Sequence, residues 1–313
     1  MGFLGKTGLE VSNLCFGTLT MTPFQANLPI SEGARLLDYA YQRGVNFFDT
    51  AEIYENYAYI REALKRMDRT KVVLSTKCYA YDEKTSEKSL KLALDGLKTD
   101  YIDLFMLHEQ ESPYTLKGHH EALETFLKFQ EKGYIRAIGV STHFIACAKA
   151  IRKYPEIQVI HPIFNQKGIG IQDGSIEEMS ETLKNLHSEG IGIFSMKALG
   201  GGHLQRDAYQ SLKWVMNQDY IDATAVGMQS IEEIDYNVDL FLHQKENQEA
   251  YEKIHKKKRK LIVADYCIGC GNCVRRCKQE AIEVVDGRAR PNDRCILCGY
   301  CATVCPEFCI KVI

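Results

Sequence analysis

The densest chemistry in this chain lies near its end. Residues 265–284 read DYCIGCGNCVRRCKQEAIEV and residues 293–312 read DRCILCGYCATVCPEFCIKV, an internal repeat offset by 28 positions. Each half holds a C-x₂-C-x₂-C-x₃-C run. Three thiolates at those spacings can wrap one face of an iron–sulfur cube, and the fourth reaches across to a neighbouring one. By that crossover rule Cys267, Cys270, Cys273 and Cys305 would hold one [4Fe–4S] cluster, and Cys295, Cys298, Cys301 and Cys277 a second. Proline follows the last cysteine of the second run (Pro306), whereas Lys278 stands there in the first. Structural zinc is the competing reading, since thiolate tetrads also suit that ion. Two runs this dense favour clusters. Cys309 occupies the repeat position that Ala281 holds in the first half, and reads as a small packing residue rather than a ligand.

A second constellation is spread over the first third of the chain. Asp49, Tyr54, Lys77 and His108 each end or closely follow an apolar run, in FFDTAEIY, VVLSTK and DYIDLFMLH. A phenol with a pKa of about 10 is a poor acid at neutral pH. A neighbouring ammonium favours the phenolate and would lower that value, making Tyr54 a proton donor. Asp49 would keep Lys77 charged and in place, and His108 would orient a substrate carbonyl. Taken singly each residue has a plain explanation, a loop-capping Asp or a solvated Lys. Together, at three successive run ends, they describe carbonyl chemistry.

The elements that must position these groups are legible as an alternation. Short apolar runs at Leu14–Gly17, Asn46–Asp49, Val72–Lys77, Tyr101–Leu107, Ile135–Val140, Val159–Phe164, Gly192–Met196 and Ala223–Val226 predict strands. Amphipathic stretches of helical period lie between them, among them Ser31–Arg43, Ser86–Leu97, His119–Lys132, Ile176–Ser188 and Ile231–Leu240. Eight such units fill about the ~250 residues of a (β/α)₈ TIM barrel, whose functional groups gather at the C-terminal ends of the strands. An open doubly wound sheet is the alternative, but no GxGxxG follows the first strand. MGFLGKTGLEVS reads as a hairpin that would cap the barrel floor. The expected organisation is a barrel over 1–242, a charged linker helix over 243–260 and a small α+β ferredoxin-like domain over 261–313. The linker ends in Lys256-Lys257-Lys258-Arg259-Lys260, either a solvated face or a docking surface for an acidic redox partner.

These residues carry a family resemblance. The first 240 residues resemble the aldo-keto reductases throughout, and the cysteine segment resembles bacterial two-cluster ferredoxins. The first resemblance implies hydride transfer between a nicotinamide dinucleotide and an aldehyde or ketone. It also implies an Asp–Tyr–Lys–His tetrad matching Asp49, Tyr54, Lys77 and His108, with Tyr54 as general acid/base. Cofactor positions match less evenly. Ser141 stands where the family binds the carboxamide, with Thr142 beside it in place of asparagine. His161 replaces a common glutamine, and Phe194, before Ser195, keeps an aromatic face for the nicotinamide where tyrosine is usual. Lys197, Gly200 and Gly201 belong to a loop (KALGGG) able to cradle a diphosphate at the usual phosphate corner of barrels. The stretch from Gly227 to Asn237 resembles the adenosine-binding segment. There Gly227 and Glu233 replace the basic residues used for a 2′-phosphate, so NAD(H) is slightly favoured over NADP(H). Glu233 as an ordinary exposed helix residue is the other reading.

Composition narrows the rest. With 313 residues, 45% apolar content and a net charge of −2, the chain offers no electrostatic attraction for nucleic acid or anionic membrane. No run approaches the roughly 20 apolar residues that span a bilayer, and no secretory leader is visible. Nine of the 12 cysteines lie beyond residue 260, which in a reducing compartment argues for metal rather than disulfides. The expectation is a cytoplasmic oxidoreductase of an anaerobe, acting on a small aldehyde or ketone. Its clusters would brace the fold, pass electrons to a flavin or redox partner protein, or sense redox state. The alternative is a nicotinamide-binding redox-sensing or electron-transfer subunit with little carbonyl turnover. Rim loops 18–29 and 109–118 would set the substrate but carry no decisive motif.

Overall fold

The computed structural model describes residues 1–256 and 260–312. Eight parallel strands, Leu14–Gly17, Phe47–Asp49, Val73–Cys78, Ile102–Leu107, Ile135–Thr142, Val159–Pro162, Gly192–Ser195 and Ala223–Gly227, close a barrel in chain order. The last strand pairs back on the first, Thr224 opposite Leu14 through Gly227 opposite Gly17. That closure excludes the open sheet. All eight predicted runs become barrel strands.

The strands form because β-branched and aromatic residues there find cover on both faces. All six residues of Val73–Cys78 and of Ile102–Leu107 are buried. Inside the barrel Cys15, Phe47, Val73, Leu104, Met106, Val159, Phe194 and Ala223 pack together. Outside, a larger core fills the gap between strands and helices. The N-terminal hairpin (Gly2–Phe3 with Glu10–Val11) pushes Leu4, Leu9 and Val11 into the interior cluster and plugs the floor. Asp222 ties it down, accepting from the Gly5 and Ile193 amides at 3.1 and 2.8 Å.

The surrounding helices follow the predicted period. Glu83–Leu97 starts at a capping box between Asp82 and Thr85 and turns Leu90, Ala93 and Leu97 inward. Ala208–Met216 is the helix that holds Trp214, while helices at Tyr57–Leu64 and Ile145–Ala150 are too short to show the period clearly in the sequence. The expected linker is less solvated than its charge implies. Its described helix, Gln248–Lys256, buries Ala250 and lays Tyr251 and Ile254 against the barrel's outer core. The Lys257-Lys258-Arg259 part of the basic run lies outside the described residues.

Beyond it, Leu261–Val263 pairs antiparallel with Ile310–Val312, and Ile282–Val285 with Arg288–Pro291. Their small core is built from Ala264, Ile282, Ala289, Ala302, Ile310 and four cysteines. This domain rests on the barrel rim that bears the strand C-termini. Arg206, in the segment after the seventh strand, donates to the Tyr300 hydroxyl (2.9 Å) and the Cys298 carbonyl (3.1 Å).

Candidate active site and cluster cavities

The second and third strands end side by side, Asp49 opposite Ser75, and this register brings Lys77 over Asp49. The Lys77 ammonium donates to both Asp49 oxygens at 2.7 Å and to the Thr50 carbonyl at 2.6 Å. Ser75 adds a 2.8 Å hydrogen bond to Asp49. The pair is almost fully enclosed, with 2% and 6% of the two side chains exposed. Burial pushes the Asp49 carboxyl up, and Lys77 pulls it back.

Tyr54 sits in the turn after the second strand, its ring centroid 5.4 Å from the Lys77 ammonium and 5.9 Å from the His108 ring. The four predicted residues therefore meet at one rim. The expected activation of Tyr54 is not what the surroundings produce. Its phenol is raised well above the ordinary value, first by burial, then by the charges of Asp49 and Glu109 and the phenols of Tyr79 and Tyr266. Lys77 commits its three hydrogens to Asp49 and Thr50, which leaves the effect of burial on Tyr54 unopposed. Tyr54 thus stays protonated, a donor rather than a ready base.

His108 is held well below its ordinary value by burial, with Lys77, His161, His143 and Lys197 opposing its charge. Its Nδ1 is buried without a hydrogen-bond partner. Tyr79, which the sequence reading passed over, stacks on it at 4.8 Å and donates to Glu109 at 2.5 Å. His143, also missed, accepts from the Lys197 ammonium at 3.1 Å. Burial and Lys197 push His143 down to about 3, and burial lowers Lys197 to about 8. Both residues stand within two positions of a strand end, the one signal that would have found them.

The expected cofactor positions divide. Ser141 accepts from the Glu109 amide at 2.8 Å, which leaves its hydroxyl hydrogen uncommitted. Thr142 caps the turn at Phe144, and Ser195 donates to Thr224 inside the wall. Phe194 differs from expectation. It is fully buried, with Phe47 on one side at 4.9 Å and His161 stacked on it at 3.8 Å, so no ring face is open to nicotinamide. His161 donates Nδ1–H to the Phe194 carbonyl at 2.6 Å, which turns its bare Nε2 toward Asp49. Gly227 packs against Thr20. Glu233 accepts from the Gln229 amide at 2.7 Å at the start of its helix. Asn237 donates to the Glu233 carbonyl, while its Oδ1 is buried without a hydrogen-bond partner. The KALGGG loop turns on itself, the Gly200 and Gly202 amides bonding back to Lys197 and Leu199 at 2.7 and 2.9 Å. Asn237 Oδ1 is thus an acceptor still to be satisfied, whereas the Phe194 ring is closed off.

In the second domain the eight cysteines of the repeat stand around two cavities. Cys267, Cys270, Cys273 and Cys305 line one, and Cys277, Cys295, Cys298 and Cys301 the other. Among the described residues no three His, Cys, Asp or Glu converge as a single ion would require. Cys309 is buried, like Ala281 at the matching repeat position, and also borders the first cavity with its sulfur 3.3 Å from that of Cys305.

Comparison with known proteins bears on both parts. Residues 13–213 match the Aldo/keto reductase family and residues 259–306 a 4Fe-4S dicluster domain. An aldo-keto reductase of Glycine max is 29% identical over 64% of this chain and 59% of its own length. L-galactose dehydrogenase of Arabidopsis thaliana is 24% identical over 64% of this chain and 66% of its own. The chain thus spans about three-fifths to two-thirds of these curated relatives. Among solved structures, an aldo-keto reductase of Bacillus halodurans in its holo form shares the fold. Its TM-score is 0.66 at 21% identity, covering 82% of this chain and 95% of that one. With a closed barrel of eight strands and a family match over most of its length, this chain belongs to the Aldo/keto reductase family and carries a C-terminal 4Fe-4S dicluster domain.

Proposed function

We propose that the chain interconverts a small carbonyl compound and its alcohol, with Tyr54 moving the proton. The observation that carries this reading is the enclosed Asp49–Lys77 pair beneath a protonated Tyr54, next to a neutral His108 whose Nδ1 has no partner. A carbonyl oxygen at this rim would accept from the Tyr54 hydroxyl. His108, neutral, keeps one N–H and one bare nitrogen, and the N–H would steady the same oxygen. A nicotinamide dinucleotide, when bound, supplies the hydride. Asn237, Ser141 and Lys197 are the residues here that would hold it, and the lack of a base for a 2′-phosphate leans toward NADH.

A raised phenol is a weaker acid than an ordinary tyrosine but stays in the protonated form that reduction requires, whereas alcohol oxidation requires the phenolate and should gain as pH rises. Cys267, Cys270, Cys273 and Cys305 would hold one [4Fe–4S] cluster, and Cys277, Cys295, Cys298 and Cys301 the other. Among the described residues no helix is long and apolar enough to cross a membrane, and a cytoplasmic setting fits oxygen-sensitive clusters.

The test is Tyr54→Phe, assayed anaerobically against a panel of aldehydes and ketones. Carbonyl reduction should fall by roughly 10²–10⁴, the usual size of lost general acid–base catalysis, while dinucleotide affinity holds. Unchanged turnover would place the chemistry elsewhere. A second reading, a redox-reporting subunit with little turnover, draws support from the closed face of Phe194. Absence of turnover across the panel in a protein that binds dinucleotide would favour it.

A further inference from the structure

The rim where a diphosphate would rest already has an occupant. After the seventh strand, Lys197, Gly200, Gly201 and Gly202 all take left-handed backbone angles (φ +56, +55, +64 and +104). Glycine at 201 lets another group come very close: a Cβ there would stand 2.4 Å from the Phe308 ring. That ring belongs to the C-terminal domain. It also touches the Gly170 backbone, where a Cβ would lie 2.7 Å from it, stacks on His203 at 5.2 Å, and has the Lys197 ammonium 4.6 Å from its centroid. Phe308 therefore covers both Gly201 and the cation of the loop.

The internal repeat gives an independent reason to see purpose in this. The turn holding Phe308 (φ +53) recurs 28 residues earlier at Glu280 (φ +49), so the left-handed turn belongs to the repeat itself. In the first half that turn carries an exposed glutamate; in the half facing the barrel it carries an aromatic ring. An aromatic residue gains nothing from φ > 0 and is rare there. What is particular to Phe308 is its contact with the barrel. Arg206, bonded to Tyr300 and the Cys298 carbonyl, holds the domain in that position.

We propose that the C-terminal domain docks on the seat of the dinucleotide's diphosphate, so that Phe308 must withdraw before dinucleotide can bind. This rests on the dinucleotide reading above. Docked and dinucleotide-bound forms then exclude each other, and linkage makes the effect reciprocal: whatever loosens the domain tightens dinucleotide binding, and dinucleotide loosens the domain.

The test uses the full chain, purified anaerobically with iron and sulfide content verified. Equilibrium binding of NADH and of NADPH is measured for the wild type, Phe308→Ala and Arg206→Ala. Phe308→Ala should bind at least about tenfold more tightly, and Arg206→Ala should shift affinity the same way by a smaller factor. Hydrogen exchange of segment 306–312 in the wild type should quicken when dinucleotide is added. Should Phe308→Ala lose its clusters, Arg206→Ala decides alone. Equal or weaker binding by the variants, beside a wild type that binds, would overturn the plug and leave the dinucleotide reading standing. Failure of all three proteins to bind either dinucleotide would overturn both.

Discussion

Replacing Lys77 by Met tests whether the buried ion pair is a structural unit as well as a candidate catalytic one. Lys77 supplies Asp49 with two hydrogen bonds and an adjacent positive charge, and among the described residues Ser75 is the other side-chain donor to that carboxylate. With 2% and 6% of these side chains exposed, Asp49 in the variant would be an uncompensated charge in the wall. Breaking such a pair from one side costs about 3–5 kcal/mol. For a barrel of this size that is a fall in Tm of roughly 10 °C. The double variant Asp49→Asn, Lys77→Met removes both charges and should recover at least about 2 kcal/mol of the loss. Urea unfolding followed by Trp214 fluorescence reads this out. Trp214 is the only tryptophan and packs on Phe164 in the barrel, 5.1 Å away, so it reports the barrel rather than the cluster domain. The sign with pH is a further check. Without Lys77 the carboxyl of Asp49 would be raised further, the folded state would bind the extra proton, and the deficit should shrink as pH falls. A loss under about 1 kcal/mol, or a double variant no more stable than the single one, would refute the reasoning.

Other outcomes follow from the same geometry. His108, His143 and His161 are all held below their ordinary value by burial. The unfolded chain therefore binds more protons below a pH of about 6.5, and each histidine removes up to about 1.4 kcal/mol per pH unit from there down to its folded value. The raised carboxyls of Asp49 and Asp222 oppose the trend. A urea midpoint for the barrel no lower at pH 5.5 than at pH 8 would contradict this sum. Anaerobic protein should hold about eight irons and eight sulfides, and Cys309→Ala should leave that content unchanged; stoichiometric zinc without labile sulfide would instead support the zinc reading. Glu233→Arg should move coenzyme preference toward NADPH by about 1–2 kcal/mol, the size of a charge-assisted contact. Strong NADPH selection by the wild type would mean that another base, Lys197 first, serves the 2′-phosphate.

What the amino-acid order determined by itself was local or periodic. The strand runs, the longer helices and the two cysteine repeats announce themselves because each depends on residues close in the chain. Asp49, Lys77 and His108 were legible for a related reason: a barrel gathers strand ends at one rim, so position along the chain stands in for position in space. Three features had no such proxy. Phe194 lies in a strand buried on both faces, where alternation carries no signal of which side faces inward. The raised phenol of Tyr54 depends on burial and on the nearby charges of Asp49 and Glu109, both set by packing across strands. Phe308 stands more than a hundred residues from Gly201, and nothing near either residue marks their contact. Contacts, desolvation and shared hydrogen bonds are properties of pairs brought together by the fold, which is why only the tertiary structure decided them.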